Sequence, residues 1–199
     1  MHDTSDIRIC FFGDSFVNGT GDTECLGWAG RVCQIANSKG SKITFYNLGV
    51  RRDTSADVRR RWKRETANRL EGPFQGRLIF SFGVNDTAIV AGKQRVSFED
   101  SVKNMRAILT TAKKKHDTLV IGPPPISDPE HNKRIGRLSA AYAAAAKKLG
   151  VPYLDIFTPL SKSALWMEEV DGHDKHHPDG GGYTLLAALV LEWEPWWFR

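Results

Sequence analysis

The chain has 199 residues, 41% of them hydrophobic and 26% charged, with a formal net charge of +5. These values describe a globular protein of one domain, large enough to bury roughly 70% of its unfolded surface. They exclude a low-complexity chain, and no run approaches the ~20 apolar residues needed to span a bilayer.

Residues 1–6 are polar and lead straight into an apolar run, so no secretory signal is expected. Cys10, Cys25 and Cys33 make an odd set without metal-ligand spacing. They read as reduced thiols, which points to a cytoplasmic protein. No cofactor is implied.

The first candidate strand covers 7–12 and ends in Gly13-Asp14-Ser15. A helical stretch follows at 28–38, with Val32 and Ile35 on a common face. The second strand, 43–47, ends in Asn47-Leu48-Gly49. Residues 51–69 then carry eight Lys/Arg against three Asp/Glu, while the rest of the chain balances. Val58, Trp62 and Leu70 give this segment an apolar stripe at helical spacing, which predicts a helix with its arginines facing outward.

The third strand, 77–82, leads into Gly83-Val84-Asn85-Asp86. Ser97 with Asp100 three positions on suggests a capping box, opening a helix through Val102, Met105, Ile108 and Ala112. A fourth strand at 118–121 precedes Gly122-Pro123-Pro124-Pro125, which reads as a stiff cleft wall with Pro123 and Pro124 as candidate substrate contacts. A helix using Ile135, Leu138, Tyr142 and Leu149 ends at Gly150. The fifth strand is 152–155, and a last helix spans about 182–193. The aromatic cluster Trp193, Trp196, Trp197 and Phe198 reads as packing onto the domain, with a homo-oligomer or membrane contact as the alternative.

Strands alternating with helices predict one α/β domain, a three-layer α/β/α flavodoxin-like fold around a five-stranded parallel sheet. Right-handed crossovers bring every strand's carboxyl end to one edge, where such folds bind ligands. Three of the blocks quoted above stand at that edge. A fourth, Asp174-Lys175-His176-His177-Pro178, precedes the last helix. Order and placement together give weight that no block has alone.

In these blocks the chain resembles the GDSL (SGNH) hydrolases over nearly its whole length. The resemblance implies Ser15 as nucleophile, His177 as its base and Asp174 as the residue orienting the ring. It further implies an oxyanion hole made by the Ser15 amide, the Gly49 amide and the Asn85 side chain. The substrate would be a small-molecule carboxylic ester or thioester, cleaved through an acyl-serine intermediate. Lipase, thioesterase, lysophospholipase and sugar-acetyl esterase all stay open.

The chemistry asks for these residue types independently. A serine hydroxyl needs a base to take its proton as it attacks. A histidine near neutrality can take that proton and later return it to the leaving group. A carboxylate fixes the ring's tautomer, and a residue three positions earlier can fold back to do so. Preset donors must meet the negative oxygen of the intermediate. His176 is the competing base, with the wrong separation from Asp174. A metal held by Asp171, His173, Asp174, His176 and His177 lacks a recognised ligand spacing.

Relatives often carry small residues and a glycine where this chain has Val50-Arg51-Arg52-Asp53. Arg51 or Arg52 is therefore a candidate contact for an anionic substrate group, a surface ion pair with Asp53 being the default. The other reading of the chain is a non-catalytic flavodoxin-like binding module that recruits an anionic partner through 51–69. No nucleic acid is expected as partner.

Overall fold

The structure is a computed structural model, and it describes residues 3–198, with side chains from residue 6 onward. Met1, which opens the segment expected to carry no signal, lies outside the described residues.

Five parallel strands form the central sheet: β1 (Asp3–Gly13), β2 (Ile43–Gly49), β3 (Phe74–Ser81), β6 (Asp117–Ile121) and β7 (Tyr153–Leu154). Their spatial order is β2-β1-β3-β6-β7. The chain leaves β1 for one neighbour and crosses back to the other, so the order reverses at β1 and β3. The crevice outside their carboxyl ends is where open α/β sheets receive ligands. All five expected strands are present.

Alternation along β1 builds the core on both faces. Ile9 and Phe11 pack with α2 (Gly27–Ser38) and α8 (Gly180–Glu192). Cys10 and Phe12 point the other way, into a cluster with α3 (Ser55–Leu70), α4 (Phe98–Ala112) and α5 (Pro129–Leu149). Because successive strand side chains face opposite sides, a strand covered twice must be apolar throughout. That is the three-layer α/β/α arrangement.

Local signals set the helix ends. Ser97 Oγ accepts from the Asp100 N–H at 3.1 Å, opening α4 where expected. Thr54 and Asp57 form a full capping box on α3. Gly150, at φ 65°, closes α5 in the left-handed conformation that glycine adopts without strain. Four elements were not anticipated: the short helices α1 (Ser15–Asn18) and α6 (Phe157–Leu160), and the hairpin strands β4 (Ile89–Val90) and β5 (Lys93–Gln94). A further helix, α7 (Ala164–Gly172), was also missed and buries Trp166 and Val170.

The C-terminal aromatics pack inward. Trp196 and Phe198 are buried, and the Arg77 guanidinium lies 5.0 Å from the Trp197 ring centre and 4.9 Å from that of Phe198. No helix among the described residues is long and apolar enough to cross a membrane.

Candidate active site

Gly13 ends β1 against the neighbouring strand so closely that a Cβ would stand 2.0 Å from the Ser81 carbonyl oxygen. The next residue, Asp14, caps α1 by accepting the Phe16 N–H at 3.0 Å. The sharp strand-to-helix turn leaves Ser15 as the first helical residue, at the sheet's carboxyl edge. Complete burial pushes the Asp14 carboxyl up to about 7, against the Phe16 N–H and with Asp86 and Asp53 adding to the rise.

His177 arrives from the loop before α8. Its Nε2 lies 2.7 Å from Ser15 Oγ, and its Nδ1 lies 2.7 Å from Asp174 Oδ2. The other carboxylate oxygen of Asp174 accepts the backbone N–H groups of His176 at 3.0 Å and His177 at 2.8 Å. The single turn expected between Asp174 and His177 is thus closed twice, through side chain and backbone. Burial lowers the His177 pKa; Asp174 opposes the fall, while His176 and Arg51 add to it. Burial alone would raise the Asp174 carboxyl, but the donors from His177 and His176 hold it well below the usual carboxylate range. The imidazole is therefore neutral near pH 7, with an ionised carboxylate on one nitrogen and a hydroxyl on the other. His176 is exposed and turns its Nδ1 toward the Asp174 carbonyl at 3.0 Å, away from the competing role.

Two expected oxyanion donors are engaged. The Gly49 N–H donates to Asn47 Oδ1 at 3.0 Å. Glycine is needed there for packing: a Cβ would stand 2.2 Å from the Asn18 nitrogen and 2.8 Å from the Asp14 carbonyl oxygen. Asn85 sits at the edge beside Asp14, donating from Nδ2 to the Asp53 carbonyl at 3.1 Å and, at a longer 3.4 Å, to Asp14 Oδ2. Good amide hydrogen bonds are shorter than the second contact, so that hydrogen is weakly held.

The basic segment departs from expectation at Arg61 and Arg69, both half-buried, Arg69 lying over the Tyr46 ring. Val58, Trp62 and Leu70 are buried as the stripe requires. Arg61, however, turns inward: it pairs with Asp53 Oδ2 at 2.7 Å and donates to the carbonyls of Gly13 at 3.1 Å and Leu48 at 2.8 Å. It thereby ties the ends of β1 and β2 to α3. Asp53 is not the partner of Arg51 or Arg52, both of which are exposed. Pro123 and Pro124 are buried rather than presented as a cleft wall. Their run makes internal contacts, with Pro125 accepting the Trp166 indole N–H at 3.0 Å.

Sequence reasoning missed the support behind His177. Arg31 and Asp22 form a buried ion pair. Asp22 also accepts the N–H groups of Leu26 at 3.1 Å and Gly27 at 2.6 Å, while Arg31 Nε donates to Thr184 on α8 at 3.0 Å. This joins the 19–26 loop to the helix that follows His177. The signal was available: Arg31 falls with Trp28, Val32 and Ile35 on the apolar face of α2, where a charge requires a partner. Gly21 of the same loop has no room for a Cβ, which would stand 2.7 Å from the Pro178 carbonyl oxygen and 3.2 Å from His177 Cβ. A cavity of about 520 Å³ between α3 and α4, lined by Trp62, Thr66, Leu70 and Lys115 among others, lies at the opposite edge of the sheet.

A family model described as GDSL-like lipase/acylhydrolase matches residues 11–185. The chain belongs to the GDSL-like lipase/acylhydrolase family. Among solved structures it is similar to a lipase/acylhydrolase from Enterococcus faecalis, with 22% identity, 92% of this chain and 93% of that one covered, and a TM-score of 0.75. It is similar to a lipolytic G-D-S-L family protein from Veillonella parvula, with 19% identity, coverage of 94% and 97%, and a TM-score of 0.72. It also resembles an acetylxylan esterase from Geobacillus stearothermophilus, with 18% identity, coverage of 100% and 99%, and a TM-score of 0.77. A comparison with curated proteins finds no match. At these identities the structures speak for the shared fold, and the family match supports ester hydrolysis as the activity.

Proposed function

We propose that this GDSL-family protein hydrolyses carboxylic esters or thioesters through an acyl-serine intermediate. The observation that carries the reading is the unbroken chain from Ser15 Oγ through His177 to Asp174, with 2.7 Å at each link. A binding module recruiting an anionic partner would have no need of it. The same spacing occurs in the Geobacillus acetylxylan esterase, where an aspartate and a histidine three positions apart are catalytic.

In this reading Ser15 Oγ attacks the acyl carbon while its proton passes to His177 Nε2. The carbonyl π bond breaks and its oxygen takes the negative charge. Collapse of the intermediate expels the alcohol or thiol, which receives the proton from His177. A water then attacks the acyl-serine by the same route, releasing the acid and restoring the hydroxyl. Asp174 stays ionised throughout and stabilises the imidazolium.

The oxyanion is received by the Ser15 N–H and by the weakly held hydrogen of Asn85, which exchanges its 3.4 Å contact with Asp14 for a shorter one. The Gly49 N–H is held by Asn47. The Arg52 N–H, on the adjoining turn, makes no hydrogen bond with another described residue. Loss of one such donor lowers the rate about 10²–10³-fold.

The test is turnover of p-nitrophenyl acetate and longer p-nitrophenyl esters by wild type and Ser15→Ala. Hydrolysis by wild type with loss of at least ~10³-fold in the variant is expected. An inert wild type, or an unimpaired Ser15→Ala, overturns the reading.

A further inference from the structure

Arg51 and Arg52 occupy the turn between β2 and α3, on the sheet edge that carries Ser15 and Asn85. The turn is pinned at both ends. The Val50 N–H donates to the Gly13 carbonyl at 3.0 Å, and the Asp53 N–H donates to the Val50 carbonyl at 3.1 Å. The Asp53 carbonyl holds Asn85, and the Asp53 carboxylate is taken by Arg61. Arg52 adopts φ 71°, a left-handed conformation in which glycine would be unstrained.

Among the described residues, neither guanidinium has an acidic partner. The ion pairs among the described residues place Asp53 with Arg61 and Asp57 with Arg60, and none includes Arg51 or Arg52. Two adjacent exposed cations thus stand on a turn whose backbone is bonded to Gly13, two residues before the reacting serine. Arg51 is near enough to His177 for its charge to act on the ring. In the proposed reaction the leaving group departs beside His177 Nε2, because that nitrogen gives it the proton. A cation whose field reaches the imidazole acts on the leaving group at that nitrogen as well.

We infer that Arg51 and Arg52 select esters whose alcohol portion carries an anionic group, a phosphate or a carboxylate. This rests on the hydrolase reading above and names the substrate class for it. A guanidinium matches either anion with a pair of parallel N–H donors. The fixed turn reduces the ordering that binding requires. α3, which follows the turn, carries further positive charge on its exposed Arg59, Lys63 and Arg64.

The experiment compares kcat/KM for phenyl acetate, 4-acetoxybenzoate and 4-acetoxyphenyl phosphate in wild type, Arg51→Gln, Arg52→Gly and the double variant. Glycine at position 52 keeps the N–H and suits the left-handed backbone, so that variant retains the turn. The ratio of anionic to neutral ester is the readout, which cancels intrinsic reactivity. It should fall about two- to fivefold per arginine removed, as for an exposed ion pair, and the wild-type ratio should fall as salt is raised. A larger fall for the phosphate ester assigns phosphate; a larger fall for the benzoate assigns carboxylate. Wild-type turnover of phenyl acetate with ratios unchanged across all variants overturns the inference and leaves the hydrolase standing. No turnover of any ester removes the hydrolase reading itself.

Discussion

His177 Nε2 lies 2.7 Å from Ser15 Oγ, although 162 positions separate the two residues in the chain. The sheet supplies the meeting point. β1 delivers the serine to the carboxyl edge, and the loop before α8 returns there with the histidine. The remaining ring nitrogen is fixed by Asp174, so geometry and tautomer are set together.

That arrangement predicts a pH profile. The wild-type acid limb of kcat/KM should lie below the ordinary histidine value near 6.5, since burial lowers the His177 pKa. Asp174→Asn removes the group opposing that fall. Its acid limb should move to still lower pH, while kcat drops roughly 10²–10⁴-fold because the ring loses its orienting carboxylate. Arg51→Gln acts oppositely, removing a cation that lowers the pKa, and should move the limb upward. Unshifted limbs in both variants would contradict the assignment of His177 as the base.

Asp14 predicts a pH-dependent stability. Its folded pKa of about 7 stands above the ~3.9 of an unfolded aspartate, so the folded state holds the proton more tightly. The associated stability is fully present below pH ~4 and is lost as pH rises through 7. Asp14→Asn keeps an acceptor for the Phe16 N–H and abolishes the titration. Urea midpoints at pH 5 and pH 8 should therefore differ less in the variant than in wild type. An equal difference would show that Asp14 is ionised throughout.

The Asp22–Arg31 pair predicts a structural effect that reaches the site. Both side chains are almost wholly shielded from solvent. Asp22→Ala leaves the buried Arg31 guanidinium with only the exposed Glu24 as acidic partner, strips the Leu26 and Gly27 N–H groups of their acceptor, and should destabilise the protein by about 3 kcal/mol, read from denaturant unfolding. Because the loop it holds packs on His177, kcat should fall in the fraction that remains folded. A loss under ~1 kcal/mol would mean that the pair is solvated in solution.

The sequence was most legible where local rules act alone. Ser97 and Asp100 opened a helix, Gly150 closed one, and doubly covered strands read as apolar runs. Asp174 and His177 were readable because three residues are one turn of chain. What needs tertiary knowledge was not readable. Arg61 looked like a solvated helix arginine, but the carbonyls that end β1 and β2 and the Asp53 carboxylate make its half-buried position favourable. Gly49 read as an oxyanion donor, yet the group that crowds its α-carbon is the Asn18 backbone, and its N–H goes to Asn47. The proline run after β6 was placed at the correct edge, but helix α7, hidden by its weak pattern, covers it through Trp166.

The most direct measurement is covalent capture of the nucleophile. A fluorophosphonate should modify wild-type protein once per chain, and peptide mass analysis should place the adduct on Ser15. His177→Ala should react at least ~10²-fold more slowly, because its hydroxyl keeps its proton. An adduct on any other residue, or equal labelling rates with and without the imidazole, would contradict the account.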